Sequence, residues 1–182
     1  VSIIFSTYNN GLYISQCIDG FLMQKTNFPF EILIHDDAST DNTPDIIREY
    51  EHNQPQVIRP IYQKENKYSK KEDIFAKYQC SRVRGKYIAI CEGDDYWIDP
   101  LKLQKQIDFL ENNPDYGMIY TTSKVYNQKE GKIEEDIIGR EFNGYIELLS
   151  GNCIPTLTTC IRSSLVMEYL KEVEPKSKNW LM

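Results

Sequence analysis

Three short runs of residues carry side chains that can do chemistry. The sharpest is Cys91-Glu92-Gly93-Asp94-Asp95-Tyr96-Trp97, where Glu92, Asp94 and Asp95 crowd their carboxylates onto one turn. Adjacent carboxylates repel one another unless something positive stands beside them. Hard oxygen ligands suit Mg²⁺ or Mn²⁺, which keep several waters and share the phosphates of a bound ligand. Such a cation would neutralise charge on a departing diphosphate, and Gly93 would let the backbone approach it closely. A glycosidase pair is the competing chemistry. It needs an acid and a base flanking a sugar, which neighbours on one turn do not easily supply. The second run is Asp36-Asp37-Ala38-Ser39-Thr40-Asp41-Asn42, and the third is Ser6-Thr7-Tyr8-Asn9-Asn10-Gly11. Each of the three, taken alone, also reads as an ordinary turn.

Their placement along the chain separates them from ordinary turns. Residues 1–5 read as a short buried strand that delivers the Ser6 run. Ile14, Cys17, Ile18, Phe21 and Leu22 then fall on one face of a helix. Residues 30–35 are a second strand and deliver Asp36-Asp37. Thr43-Pro44 gives an N-cap followed by proline at the first helical position, with Ile46, Ile47 and Tyr50 on the apolar side. Residues 57–62 suggest a third strand, an edge because of Pro60. A polar, lysine-rich loop covers 63–72. A helix is expected over 73–84, ending at Gly85. Residues 86–91 form the fourth strand, which delivers the acidic turn. Pro100 is expected to open a helix with Leu103, Ile107 and Leu110 on one face, and 116–125 to hold another strand, with a turn at 127–131. Beyond that the pattern weakens to a helix near 145–149, a strand near 156–161 and a helix near 164–169. Strand–helix alternation predicts an α/β fold with a mainly parallel central sheet flanked by helices. In such a sheet ligands bind at the carboxyl ends of the strands, which is where all three polar runs lie.

Composition removes several alternatives. The chain of 182 residues is the size of one domain. Its net charge of -6 argues against a nucleic-acid partner, which would call for a basic surplus. Five cysteines without a CxxC pair, and two histidines, argue against a zinc site or a disulfide framework and read as buried thiols in a reducing compartment. No apolar run reaches the roughly 20 residues that span a membrane. No leader precedes the first strand, so a cytoplasmic location is expected, with peripheral attachment at the cytoplasmic face of a membrane left open. Thirteen tyrosines suit sugar and nucleotide sites as well as cores.

The motifs together resemble the family 2 glycosyltransferases, inverting enzymes of the GT-A fold. The resemblance rests on Phe5-Ser6-Thr7-Tyr8-Asn9 after the first strand, on Asp36-Asp37-Ala38-Ser39-Thr40-Asp41-Asn42-Thr43 after the second, and on Gly85-Lys86-Tyr87-Ile88 running to Glu92-Gly93-Asp94-Asp95 and Asp99-Pro100. It implies one domain over 1–182, with 1–125 the nucleotide-sugar-binding half and 126–182 the start of the acceptor-binding half. It implies transfer of a sugar from a nucleotide-diphosphate donor, with uridine the expected base, to a saccharide or lipid-linked saccharide acceptor in surface polysaccharide or glycoconjugate synthesis. Ser6, Thr7, Tyr8, Asn9, Asp37 and Asp94 would meet the donor nucleotide. Asp94 and Asp95 would hold Mn²⁺ or Mg²⁺. Glu92 stands where the family has aspartate, so its share in the metal is open. The catalytic base of the family has no counterpart before Met182 and is expected beyond it. Glu168, Glu172 and Glu174 read as solvated surface of a charged helix. Lys64 to Lys71 read as a solvated loop, or as one lending a cation to a diphosphate. Residues 152–156 fall where the family shapes its acceptor side.

Two enzyme classes with similar sheets fit less well. A sugar-phosphate nucleotidyltransferase would carry a glycine-rich, basic loop after the first strand, and a dinucleotide-binding dehydrogenase would carry GxGxxG; residues 6–11 have one glycine and no cation. A non-catalytic nucleotide-sugar-binding module remains the alternative from outside the enzymes.

Overall fold

The computed structural model describes residues 1–142, 144–151 and 153–177. Its central sheet has six strands in the order β3-β2-β1-β4-β8-β5. The strands are β1 (Ser2–Thr7), β2 (Glu31–Asp36), β3 (Ile58–Tyr62), β4 (Tyr87–Glu92), β5 (Met118–Ile119) and β8 (Cys160–Arg162). Strands β1 to β4 are mutually parallel, while β8 runs antiparallel to both β4 and β5. A separate two-stranded ribbon pairs β6 (Ser123–Asn127) with β7 (Lys132–Ile138). The helices are α1 (Ile14–Leu22), α2 (Thr43–Asn53), α3 (Lys102–Asn112), α4 (Tyr145–Ser150) and α5 (Ser163–Ser177).

Strand side chains alternate between two faces, and both faces are covered. Ile3, Phe5, Ile32, Ile34, Ala89 and Cys91 pack with Ile14, Cys17, Ile18 and Phe21 of α1 and Ile47 of α2. Ile4, Leu33 and Ile88 pack on the other side with Cys80 and with Val166 of α5. Burial on both faces explains why the strands read as unbroken apolar runs. Strand β3 is an edge, so the missing N–H of Pro60 leaves no gap inside the sheet.

Four local expectations are corrected. Residues 73–84 do not form one α-helix. They make a wide π-type turn at Phe75–Gln79 and a 3₁₀ turn at Cys80–Arg82. The wide turn accompanies an inward Gln79, which is 1% exposed and donates from Nε2 to the Phe5 carbonyl at 2.6 Å. The expected strand over 116–125 is split. Strand β5 ends after two residues because the Thr121 amide turns to the Thr158 hydroxyl at 3.2 Å, and β6 leaves to pair with β7. Helix α3 begins at Lys102 rather than at Pro100, since the Asp99 carboxylate first accepts the Leu101 amide at 2.9 Å. The strand near 156–161 begins as a 3₁₀ turn, Thr156–Thr158, before β8.

The acidic turn is anchored behind itself by Trp97. Its ring is 4% exposed, lies edge-on to Phe21 at 4.7 Å between centroids, and donates from Nε1 to the Leu157 carbonyl at 2.8 Å. Helix α1 approaches the Trp97 backbone at Gly20, where an added Cβ would stand 2.9 Å from both the amide nitrogen and the carbonyl oxygen. Gly20→Ala must therefore push apart α1 and the turn. We expect it to lower stability by about 1–3 kcal/mol, read from urea unfolding; an unchanged midpoint would show that the contact is slack.

Candidate functional site

The register brings the three polar runs to one edge. Ser6 pairs with His35 on one side and Glu92 on the other, and Thr7 pairs with Asp36. Tyr8, Asp37 and Asp94 therefore emerge side by side. The loops after β1 and β2 are also clipped together. Asn9 adopts a left-handed backbone (φ 54°), which asparagine tolerates. Its side-chain oxygen accepts from the Thr40 amide at 2.8 Å, and its own amide donates to the Ser39 hydroxyl at 2.9 Å. The Asp37 amide donates to the Thr7 carbonyl at 2.9 Å, and the Gly11 amide to the Asp41 carboxylate at 3.0 Å. Tyr8 remains 48% exposed on this rigid base, free to present a ring face.

Asp37 is buried and already engaged. Its carboxylate accepts the Lys67 amide at 2.6 Å and the Tyr68 amide at 3.0 Å, and its carbonyl accepts from the Asn66 side chain at 3.2 Å. It thus fixes the following loop. Lys67 pairs with Glu65 and Glu72, and Lys70 with Glu65, so these two lysines are balanced by acids of the same segment. Tyr68 projects over a cleft of about 410 Å³, whose other walls include Ser6, Phe75, Gln79, Glu92 and Thr156.

Polar atoms left without a partner gather at the ends of β1 and β2 and, at Gln79, on the wall of this cleft. Thr7 Oγ1, His35 Nδ1, Asp36 Oδ1 and Gln79 Oε1 are buried and unpaired among the described residues. Unpaired buried groups are expensive, so a cluster of them is unusual away from a functional site. Burial lowers the His35 imidazole below its ordinary pKa and raises the Asp36 carboxyl above its own.

The acidic turn carries uncompensated charge. Gly93 lies against Thr7 and Asn10, where a Cβ would stand 2.7 Å from the threonine hydroxyl. Glu92 reaches solvent at the rim, yet its carboxyl lies within hydrogen-bonding reach of Asp95. Burial, then repulsion from Asp95 and Asp94, pushes Glu92 up to about 7. Burial and the neighbouring Asp94 raise Asp95. Among the described residues no lysine or arginine pairs with any of the three, and no group of three or more His, Cys, Asp or Glu side chains is placed to hold a metal ion. An open pair of carboxylates with a protonatable neighbour fits a Mg²⁺- or Mn²⁺-type ion, which completes its shell with water and phosphate.

The structure thus brings Ser6, Thr7, Tyr8, Asn9, Asp37, Glu92, Asp94 and Asp95 together. Exposed Glu168 and Glu172 lie on α5. Asn152 lies outside the described residues. Thr156, which the sequence set with 152–156 on the acceptor side, lines the cleft, and sequence reasoning missed Gln79, hidden inside an apparent helix. It also missed Tyr68, whose only signal was an aromatic ring in a charged loop.

A six-stranded sheet of this order, with its polar edge, defines a nucleotide-diphospho-sugar transferase fold of the GT-A type. A model of Glycosyl transferase family 2 matches residues 2–168, and the chain belongs to that family. It is 42% identical over 137 residues to an uncharacterized protein of Mycobacterium tuberculosis, covering 74% of this chain and 38% of the relative. It is 32% identical over 130 residues to the Escherichia coli UDP-Glc:alpha-D-GlcNAc-diphosphoundecaprenol beta-1,3-glucosyltransferase WfaP, covering 71% of this chain and 47% of WfaP. The chain therefore spans less than half the length of either relative. Its fold is similar to that of S. aureus TarS 1-349 in complex with UDP-GlcNAc, with a TM-score of 0.67 at 19% identity, covering 92% of this chain and 46% of TarS.

Folded Glu92 holds its proton to higher pH than an unfolded glutamate, so the folded state binds more protons between pH 4.5 and about 7. Its contribution to stability is complete below that window and is lost as pH rises through it. Glu92→Gln should therefore gain melting temperature relative to the parent as pH rises from 5 to 8, on the order of a few degrees. Parallel melting curves for the two proteins across that range would rule out the shared proton.

Proposed function

We propose that this chain binds a nucleotide-diphosphate sugar and passes the sugar, with inversion, to a hydroxyl of a saccharide or lipid-linked saccharide. The observation that carries the reading is the unneutralised Glu92-Asp94-Asp95 turn, set in register with exposed Tyr8 beside the cleft. Tyr8 stacks on the base, taken to be uracil, while Ser6, Thr7 and Asn9 line its approach and Asp37 accepts its ring N–H beside the two loop amides. Asp94 faces the ribose and, with Asp95, holds a divalent cation, Mn²⁺ or Mg²⁺; Glu92 joins when it gives up its proton. Bound there, the cation neutralises charge on the diphosphate. The names of WfaP and of the TarS complex, which specify UDP-Glc and UDP-GlcNAc, support the choice of a uridine donor for this relative of theirs.

The base that takes the acceptor's proton is none of Glu92, Asp94 and Asp95, which face the donor. Among the described residues no helix is long and apolar enough to cross a membrane. A lipid-linked acceptor would bring the chain to the cytoplasmic face of a membrane by peripheral association.

Titrating UDP into the protein by calorimetry, with Mn²⁺ and then with a chelator, tests the site. Binding should require the metal, and Asp94→Asn with Asp95→Asn should abolish that requirement along with the affinity. Tyr8→Ala should weaken binding about tenfold, the worth of one base–aromatic stack. Equal affinity with and without metal would overturn the metal role, and an indifferent Tyr8→Ala would overturn the stacking role.

A further inference from the structure

One charged side chain in the core has no part in the site so far. Lys102 opens α3 and is 8% exposed. Among the described residues no carboxylate pairs with it. Its Nζ donates to Gln106 Oε1 at 2.9 Å and sits 3.9 Å from the centre of the Trp97 ring. These two partners lead to the two walls of the cleft. Trp97 closes the acidic turn and donates to the Leu157 carbonyl at 2.8 Å. Gln106 donates from Nε2 to the Thr158 carbonyl at 2.7 Å. The Ile90 amide donates to the Thr159 carbonyl at 3.2 Å, tying the same segment to β4 two residues before Glu92. Thr156, at the start of that segment, lines the cleft.

A buried ammonium without an anion is a poor way to stabilise a core. Burial lowers Lys102 to about 8, and the groups that face it are the Cys160 thiol of β8 and the Cys91 thiol of β4. A depressed lysine pKa means that the folded state binds fewer protons than the unfolded chain between about pH 8 and 10.5, so its penalty is present below that window and relieved above it. Methionine would fill the same space without the penalty. The cation is therefore kept for something other than stability.

We propose that Lys102 is a positioning residue of the donor site: through Trp97 on one side and Gln106 on the other, it sets the Glu92–Asp95 turn against the Thr156–Thr158 wall. This role rests on the donor reading above and touches no ligand itself.

The test uses a Trp180→Phe background, in which Trp97 is the sole tryptophan. Trp97 emission is followed from about pH 6.5 to about 9.5, and UDP affinity is measured with Mn²⁺ at neutral pH, for the parent, Lys102→Met and Lys102→Arg. The parent's emission should shift with a midpoint near 8, and Lys102→Met should show no such shift. Lys102→Met should melt no lower than the parent at neutral pH yet bind UDP about tenfold more weakly, the worth of one hydrogen bond and one cation–π contact. Lys102→Arg should recover most of the affinity. A variant that binds UDP as tightly as the parent overturns the role of Lys102 and leaves the donor reading standing. A parent that binds no UDP overturns both. Should Lys102→Met fail to fold, the parent decides alone: its UDP affinity should fall across the emission transition, and a flat profile there overturns the role.

Discussion

Strand β1 has a parallel neighbour on each side, and its last rungs are shared, with Ser6 between His35 of β2 and Glu92 of β4. A slip of one residue along either ladder would turn Ile3 and Phe5 toward the wrong layer and Ile4 toward the other. Both layers are packed, so neither side tolerates that exchange. The apolar sandwich thus pins the register, and the register pins the points at which three loops leave the sheet. Polar side chains that are 29 to 86 residues apart in sequence meet because hydrophobic residues beneath them cannot move. The clips between Asn9, Ser39 and Thr40 then remove the remaining freedom of the first two loops.

The same edge holds interactions that work against stability. Thr7, Asp36 and Gln79 keep buried oxygens unpaired, and Glu92 shares space with Asp95 at the cost of a raised pKa. Such groups persist where surrounding structure over-determines them. Trp97, wedged against Phe21 and backed by Gly20, supplies that support for the acidic turn. The turn is therefore held in place from behind while its front remains negatively charged and unsatisfied.

The parallel half of the fold was legible in the sequence because its signals are local. The apolar runs of β1, β2 and β4, the face formed by Ile14, Cys17, Ile18 and Phe21, and the turn residues after each strand all speak within a few positions. What the sequence did not disclose depends on distant partners. Residues 73–84 have helical periodicity, but Gln79 finds the Phe5 carbonyl, and the turn widens around it. The run from 116 to 125 has strand character throughout, yet one hydroxyl, that of Thr158, stops the ladder at Ile119. Tyr8, Asp94 and Asp95 could be singled out because their types announce chemistry. Lys102 could not, since nothing nearby in sequence says that a buried lysine will find an indole ring.

Two pairs of adjacent aspartates show how little residue type decides by itself. Asp36-Asp37 and Asp94-Asp95 look alike in sequence, and both follow a strand at the same edge. In the first pair, Asp37 receives two amide hydrogens from the loop at Lys67 and Tyr68, so the chain supplies its own neutralising dipoles. That carboxylate spends its charge on ordering a cleft wall. In the second pair no amide or cation of the described chain does the same. Asp95 instead faces Glu92; burial and repulsion from Asp95 and Asp94 raise the proton affinity of Glu92, while burial and repulsion from Asp94 raise that of Asp95. Satisfaction from within leaves Asp37 to order its loop and meet a neutral N–H rather than a cation. Its lack makes the second pair the place where a positive charge from outside gains most.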